Sequence, residues 1–226
     1  MKTTIIIPTY NEEENLKILL PKLKKILEKF LCNYEILIVD SYSTDKTHQI
    51  AKKFGKLILC EKGKGNAMRK GIKAAKGEIL IFLDADLSHR IEELPAFIKN
   101  LKNFDMVKGS RFLKGGGSED LTFFRKLLNF ILVKLTNLSY HSNFTDICYG
   151  YFGGWKKKLS NLNLCAKGFE IETEIFIKGF KRGFKIKEIP SFEKKRKFGK
   201  GKLRLIKDGF VILKTAIICL KEKQVH

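Results

Sequence analysis

Short runs that are apolar at every position alternate along this chain with longer segments that are apolar only every third or fourth residue. Thr4-Ile5-Ile6-Ile7 (closed by Pro8), Glu35-Ile36-Leu37-Ile38-Val39, Leu57-Ile58-Leu59 and Ile79-Leu80-Ile81-Phe82-Leu83 are of the first kind, and Met106-Val107 begins a fifth. A strand apolar on both sides is a strand covered on both sides. Between the first two runs, Leu16, Leu19, Leu20, Leu23, Ile26 and Leu27 recur at helical spacing. Asn11 precedes them as the expected N-cap, and Glu12 to Glu14 suit the positive end of a helix dipole. Thr44 or Asp45 is placed to cap a helix carrying Ile50 and Phe54, Gly63-Lys64-Gly65 leads into a helix through Ala75, and another helix runs from Ile91 to Leu101. This alternation predicts an α/β fold, a mostly parallel sheet with helices on both faces.

Beyond Leu113 the pattern loosens. Gly115 to Ser118 reads as a flexible loop, Leu121 to Leu138 as a helix, and Thr145 to Trp155 as a glycine- and aromatic-rich strand or turn. Gly168 to Phe180 reads as a helix and Phe184 to Ile189 as a strand ended by Pro190. A basic loop then leads to a last helix from Leu203 to Leu220. The expected division is a body over 1–202, with halves meeting near 112, and an amphipathic C-terminal helix over 203–226.

Charge narrows the partners. The 226 residues include 45 Lys and Arg against 24 Asp and Glu, a formal charge of +21. That excess calls for an anionic partner: nucleic acid, an acidic membrane surface or phosphorylated small molecules. No helix-turn-helix, RNP-type strand or zinc finger supports nucleic acid. The cysteines at 32, 60, 148, 165 and 219 form no CxxC pair and do not cluster with His, which argues against structural zinc and for reduced thiols in a cytoplasmic setting without a leader peptide. No stretch of about 18 apolar residues is present to span a bilayer.

Ligands of parallel sheets bind at the carboxyl ends of the strands, which directs attention to Pro8–Glu12, Asp40–Asp45 and Asp84–His89. The carboxylates of Asp84-Ala85-Asp86, two residues apart, either converge on a hard cation such as Mg²⁺ or Mn²⁺ or are solvated and cap the next helix. Asp40 stands where an acid hydrogen-bonds a ribose in many nucleotide-binding folds, or else caps a helix. Pro8-Thr9-Tyr10-Asn11-Glu12 contains no glycine, so a dinucleotide fingerprint is absent, and the chain has no Walker loop. Gly63-Lys64-Gly65 alone is a plain turn. On one sheet edge, these elements together suit a nucleoside diphosphate held by a cation.

Several further segments fall in a recognisable order: Val39-Asp40-Ser41-Tyr42-Ser43-Thr44-Asp45-Lys46-Thr47, Gly63-Lys64-Gly65-Asn66-Ala67, Asp84-Ala85-Asp86-Leu87-Ser88-His89 and Gly109-Ser110-Arg111-Phe112. Arg125 with Asn129, Asp146 with Gly150, Gly168 to Glu174, and Ile189-Pro190 followed by Arg196, Gly199, Lys202 and Leu203 complete the set. With these the chain resembles, over nearly its whole length, the family-2 glycosyltransferases, in particular the dolichyl-phosphate mannosyl and glucosyl synthases. The resemblance implies a GT-A fold whose first half holds the nucleotide sugar and whose second half holds the acceptor. It implies transfer of a hexose from GDP-mannose or UDP-glucose, with inversion, to dolichyl or another polyprenyl phosphate, assisted by Mg²⁺ or Mn²⁺. It places the nucleotide against Pro8, Tyr10, Glu12, Val39, Asp40, Lys64, Asp84 and Ala85, and the metal on Asp84, Asp86 and Ser88. It places the acceptor phosphate on Arg111, Arg125 and Asn129, and the donor diphosphate on Arg196 and Lys202, with Asp86, Arg111 and Arg125 central to catalysis. Ser41 stands where the family usually has a second acid, and Ser88 where the mannosyl synthases often have Gln.

A phosphate acceptor is already charged at neutral pH and needs cations, which paired arginine nitrogens supply. A hydroxyl acceptor, as in glycan or cell-surface polysaccharide assembly, would instead need a base, for which Asp146 or Glu172 is available. From Lys181 to Lys207 the chain is densely basic, opposed only by Glu188 and Glu193. Lys207, Lys214 and Lys221 follow at seven-residue intervals among Phe210, Val211, Leu213, Ile217, Ile218 and Leu220, and the helix near Phe123, Phe124, Leu127, Phe130 and Ile131 is similarly apolar. Such helices lie in a membrane interface, pack on the sheet, or join two copies of the chain. The first alternative gives a peripheral protein on the cytoplasmic face of an anionic membrane.

Overall fold

The structure, a computed structural model, describes residues 1–221; positions 222–226 of the predicted C-terminal segment lie outside them. The first half contains β1 (Thr3–Thr9), α1 (Glu13–Phe30), β2 (Tyr34–Asp40), α2 (Thr47–Phe54), β3 (Lys56–Leu59), α3 (Lys64–Ala74), β4 (Ile79–Phe82), α4 (Leu94–Asn100) and β5 (Met106–Ser110). The second contains β6 (Gly117–Ser118), α5 (Phe123–Tyr140), β7 (Phe152–Trp155), α6 (Lys156–Ser160), α7 (Ile171–Lys181), β8 (Ile186–Pro190), β9 (Phe192–Glu193) and α8 (Leu205–Lys221).

Seven strands form one sheet in the order β3-β2-β1-β4-β7-β5-β8, parallel except for β7, which runs antiparallel to both neighbours. Successive strand residues point to opposite faces. Ile5 and Ile7 therefore pack with Leu16, Leu20, Leu23 and Phe97 on the side of α1 and α4, and Ile6 packs with Met68, Phe82, Phe152 and Phe176 on the side of α3 and α7. Each such buried side chain contributes about 1.5–3 kcal/mol. β7 approaches β4 closely because Gly153 has no side chain: a Cβ there would lie 2.4 Å from Ile81 Cδ1.

Asn11 is not the N-cap of α1. It has a φ of 51°, and its side-chain oxygen accepts the Thr44 N–H at 2.8 Å while its own N–H is donated to Ser43 Oγ at 2.7 Å. A short polar side chain tolerates this backbone, and here it ties the β1–α1 loop to the β2–α2 loop. Neither expected cap of α2 holds its N-cap position, which is Lys46; Asp45, one residue earlier, accepts the Thr47 N–H at 2.9 Å. Gly115 to Ser118, expected as a loop, ends in β6, which pairs with β9 as a separate two-stranded ribbon.

Nor does α8 stand apart from the body. Gly209, Ile212, Ala216 and Cys219 form a buried stripe packed on α5 and α7. A second apolar stripe faces outward, with Ile206 89% and Phe210 69% exposed beside Ile217 and Ile218. Phe123, Phe124, Leu127, Phe130 and Ile131 of α5 are exposed in the same way. No described helix is long and apolar enough to cross a membrane.

Candidate active site

Register brings the strand ends together. Thr9 pairs with Asp40 and Ile6 with Phe82, so the segments after β1, β2 and β4 share one edge. Because β7 runs the other way, Tyr149 and Gly150, which precede it, reach this edge as well. A cleft of about 820 Å³ opens there. Pro8, Tyr10, Ser41 and Lys62 line one end, Lys64, Asp84, Asp86, Arg111 and Glu172 the middle, and Arg125, Leu128, Phe169, Leu203 and Ile212 the other end.

At the centre Lys64, on the first turn of α3, lies 2.6 Å from Asp84 Oδ1 and 2.6 Å from Glu172 Oε1. Burial would raise the Asp84 carboxyl, but the Lys64 ammonium, with Arg196 nearby, holds it below the ordinary value. Burial, with the Asp84 charge alongside, pushes Glu172 up despite Lys64. Asp84 therefore carries the firm negative charge, and Glu172 is the member that protonates more readily. His89 is kept neutral by burial. Its Nδ1 accepts the Asp84 N–H at 3.2 Å, and its ring stacks on Tyr151 at 4.9 Å, so it braces the acidic loop from behind.

Asp86 Oδ1 accepts the Ser88 N–H at 3.1 Å and the Ser88 hydroxyl at 2.6 Å. Its Oδ2 lies 2.9 Å from Arg196 Nη2. Arg196 belongs to a strap, residues 194–202, laid across the cleft mouth. Arg196 Nη1 sits 3.2 Å from both oxygens of the buried Glu12, and Lys202 Nζ lies 2.6 Å from Glu12 Oε1 and donates to the Tyr10 carbonyl. Asn15 adds bonds to Glu12 and to the Phe198 carbonyl.

Among the described residues no group of three or more His, Cys, Asp and Glu side chains could close around a metal ion. Asp84 and Asp86 offer two hard carboxylates, each already clasped by a protein cation at 2.6 and 2.9 Å. That donor set fits Mg²⁺ or Mn²⁺ sharing its shell with phosphate oxygens.

Towards the acceptor side, Arg111 meets Asp146 through Nε at 2.7 Å and Nη2 at 3.0 Å, meets Glu193 through Nη1 at 3.1 Å, and lies over the Tyr149 ring. Asp146 is fully buried, and although burial alone would raise its carboxyl, the guanidinium holds it low. Arg125, at the start of α5, is partly exposed and lies 2.9 Å from Asp120.

The model of the family described as Glycosyl transferase family 2 matches residues 4–162. The chain belongs to the family-2 glycosyltransferases. It is 36% identical over 214 residues to a dolichol-phosphate mannosyltransferase of Pyrococcus furiosus, an alignment covering 90% of this chain and 60% of that protein, so the chain spans about three fifths of that relative's length. It is 28% identical to an undecaprenyl-phosphate mannosyltransferase of Micrococcus luteus, covering 90% of this chain and 88% of the other. A mycobacterial protein of known crystal structure superposes with a TM-score of 0.80 at 16% identity, covering 98% of this chain and 75% of that one. Glucosyl-3-phosphoglycerate synthase of Mycobacterium tuberculosis, crystallised with Mn²⁺, UDP and phosphoglyceric acid, superposes at 0.74 and 15% identity, covering 98% and 79%. These two likenesses show the fold.

In this glycosyltransferase Pro8, Tyr10, Glu12, Lys64, Asp84, Ala85, Asp86, Ser88, Arg111, Arg125, Arg196 and Lys202 all line the cleft. Three residues expected there do not. Val39 is buried in the core beneath α3, where a Cβ on Gly71 would touch it. Asp40 is fully buried and its carboxylate is used up by the Thr9 and Ser43 hydroxyls, the Ser43 N–H and His48, so Ser41 lines the cleft in its place. Asn129 bonds the backbone of Thr145 and Ile147 and points away from the cleft. Glu193, Tyr149 and the apolar Leu128, Phe169, Leu203 and Ile212 were not foreseen as lining. Glu193 left one trace in the sequence, as an acid isolated in a basic run.

Gly150 is held to glycine by the site itself: a Cβ would stand 2.6 Å from Lys64 Nζ and 2.8 Å from Asp84 Oδ2. Both are side-chain ends that swing aside at small cost to folding. Gly150→Ala is therefore expected to keep its melting temperature within a few degrees while turnover falls at least about 100-fold, about 2.7 kcal/mol of barrier. Steady-state kinetics beside a melting curve checks this.

Proposed function

We propose that this glycosyltransferase moves a hexose from GDP-mannose or UDP-glucose to dolichyl or another polyprenyl phosphate, with inversion at the anomeric carbon, at the surface of an anionic membrane. The observation that carries the reading is the continuity of the cleft. It runs from the Asp84–Asp86 pair past Arg111 and Arg125 into an apolar groove of Leu128, Leu203 and Ile212 between α5 and α8. A charged head beside the acids and a hydrocarbon tail between the helices would fill it. The relatives named for polyprenyl-phosphate mannosyl transfer support mannose first.

Asp84 and Asp86 would hold Mg²⁺ or Mn²⁺, with Ser88 bracing Asp86. When bound, the ion supplies neutralising charge to the departing diphosphate. Arg196 and Lys202 are placed to add theirs from the strap. Arg125, whose guanidinium is held among the described residues by the partly exposed Asp120, is free to turn to an acceptor phosphate, which as a dianion needs positioning in line and no base. Asp146, buried and held low by Arg111, is a poor base. A hydroxyl acceptor would therefore have to use Glu172, whose carboxyl is raised and lines the cleft.

The exposed apolar stripes of α5 and α8 would enter the lipid interface. Basic residues around them add about 1 kcal/mol each toward anionic headgroups, which concentrate in the cytoplasmic leaflet. The test is turnover by the purified protein with Mg²⁺ or Mn²⁺ and polyprenyl phosphate in anionic vesicles, across a donor panel. Transfer from one donor, lost in Arg125→Ala and retained in Glu172→Gln, is the expected result. The opposite pattern favours a hydroxyl acceptor, and turnover of neither donor refutes the proposal. Vesicle flotation lost in an Ile206→Asp, Phe210→Asp variant checks the membrane contact, whereas a dimer dispersed by that variant would assign the stripes to a second copy.

A further inference from the structure

The sheet interior contains an ion pair that the chemistry above does not use. Lys108 of β5 has no exposed surface, stands opposite Glu188 of β8 in register, and lies 3.1 Å from its Oε1. Taking both charges out of water costs several kcal/mol per ion, and an apolar pair of similar volume would bridge two strands at least as well. The bonds these side chains make show what an apolar pair could not do. Lys108 Nζ donates to the carbonyls of Asp146 and Gly109. Glu188 accepts the Thr145 N–H at 2.8 Å, the Thr145 hydroxyl at 2.8 Å and the Asp146 N–H at 3.2 Å. Apart from the Gly109 carbonyl, the Phe176 ring beneath Lys108 Nζ and each other, every partner belongs to the turn at residues 145–146.

That turn has one outlet to the cleft. It delivers the Asp146 carboxylate, which grips Arg111 at 2.7 and 3.0 Å. We propose that the Lys108–Glu188 pair is a positioning device for Arg111: it fixes the 145–146 turn, the turn fixes Asp146, and Asp146 aims the guanidinium. Lys108 and Glu188 are thus positioning residues for the acceptor side of the site. This consequence rests on the proposed phosphate acceptor, whereas the geometric claim does not.

The double variant Lys108→Met, Glu188→Gln removes both charges together and leaves no unpaired ion. Two readouts are taken on the full chain. The Nε–H resonance of Arg111 in ¹⁵N-labelled protein reports its bond to Asp146 whether or not any acceptor is turned over. Steady-state kinetics with polyprenyl phosphate in vesicles reports the acceptor site. The expected result is a melting temperature within a few degrees of the parent, an Arg111 signal that is shifted or broadened away, and an acceptor KM raised about tenfold with donor KM within about twofold. Should the double variant fold poorly, Thr145→Val, which removes only the hydroxyl bonding Glu188 and Ser110, should move the same readouts in the same direction by a smaller amount. An unchanged Arg111 signal in a folded variant overturns the proposal whatever the kinetics. A lost signal with an unmoved acceptor KM overturns its link to the acceptor. An inactive parent protein would count against the phosphate-acceptor reading alone, since the resonance is still read.

Discussion

Asp86→Asn is expected to lower kcat/KM at least about 10³-fold, about 4 kcal/mol of transition-state stabilisation, while the protein stays folded. The two effects separate because of where Asp86 sits. It is partly exposed, and an asparagine oxygen can still accept the two Ser88 bonds that order the loop. Arg196, losing one partner, keeps the other in Glu12. What disappears is one of the two neighbouring carboxylates proposed to hold a divalent ion beside the diphosphate. Mn²⁺-dependent nucleotide binding, followed by calorimetry, should weaken in parallel. Activity within tenfold of the parent would show that Asp86 serves the loop and not the reaction. Asp84→Asn is the less clean experiment, because Asp84 shares Lys64 with Glu172 and its loss disturbs a buried ion network.

Arg111→Ala should cost stability as well as acceptor binding, with a loss of about 3–5 kcal/mol in urea unfolding. Removing one partner of a buried pair leaves the other charged and unsolvated, and here the stranded groups are Asp146, with no exposed surface, and Glu193. Acid titration adds a signed test. Asp146 is held below its unfolded value, near 3.9 in model peptides, so its contribution is present above about pH 4 and is lost as pH falls further. Arg111→Ala lacks that contribution and should show a shallower loss of stability in acid. A loss under about 1 kcal/mol at neutral pH would contradict the reading of Asp146 as an ion partner. Asp146→Asn, for the same reason, cannot distinguish a base from a brace; Arg125 and Glu172 are the residues that separate the two acceptor classes.

The first half of the fold was legible because its strands are apolar on both sides and its polar chemistry follows each strand within a few residues. The second half hid its plan. Phe152-Gly153-Gly154-Trp155 carries no strand periodicity, yet it is the antiparallel insertion that brings Tyr149 and Gly150 to the cleft. Position along the chain also could not tell a cleft-facing acid from a buried one. Asp40 and Asp84 both end strands, but Asp40 is consumed by the hydroxyls and histidine packed around it. Arg125 and Asn129 lie one helical turn apart, which made them look alike, while the turn at 145–147 takes Asn129 inward. The acids interrupting the basic C-terminal run were the one readable sign of hidden structure: Glu188 and Glu193 are the partners of Lys108 and Arg111.

The strap has a consequence for selectivity. Arg196 is paired with Glu12 and Asp86, and Lys202 with Glu12. A visiting anion must therefore displace carboxylates already in contact with those side chains, and its net affinity is the difference between two sets of ionic contacts. A lone inorganic phosphate gains too little from that exchange. Under the proposed function, a donor diphosphate accompanied by a divalent ion would offer Asp86 a cation and Arg196 and Lys202 an anion at once, and so would be favoured over the abundant small anions.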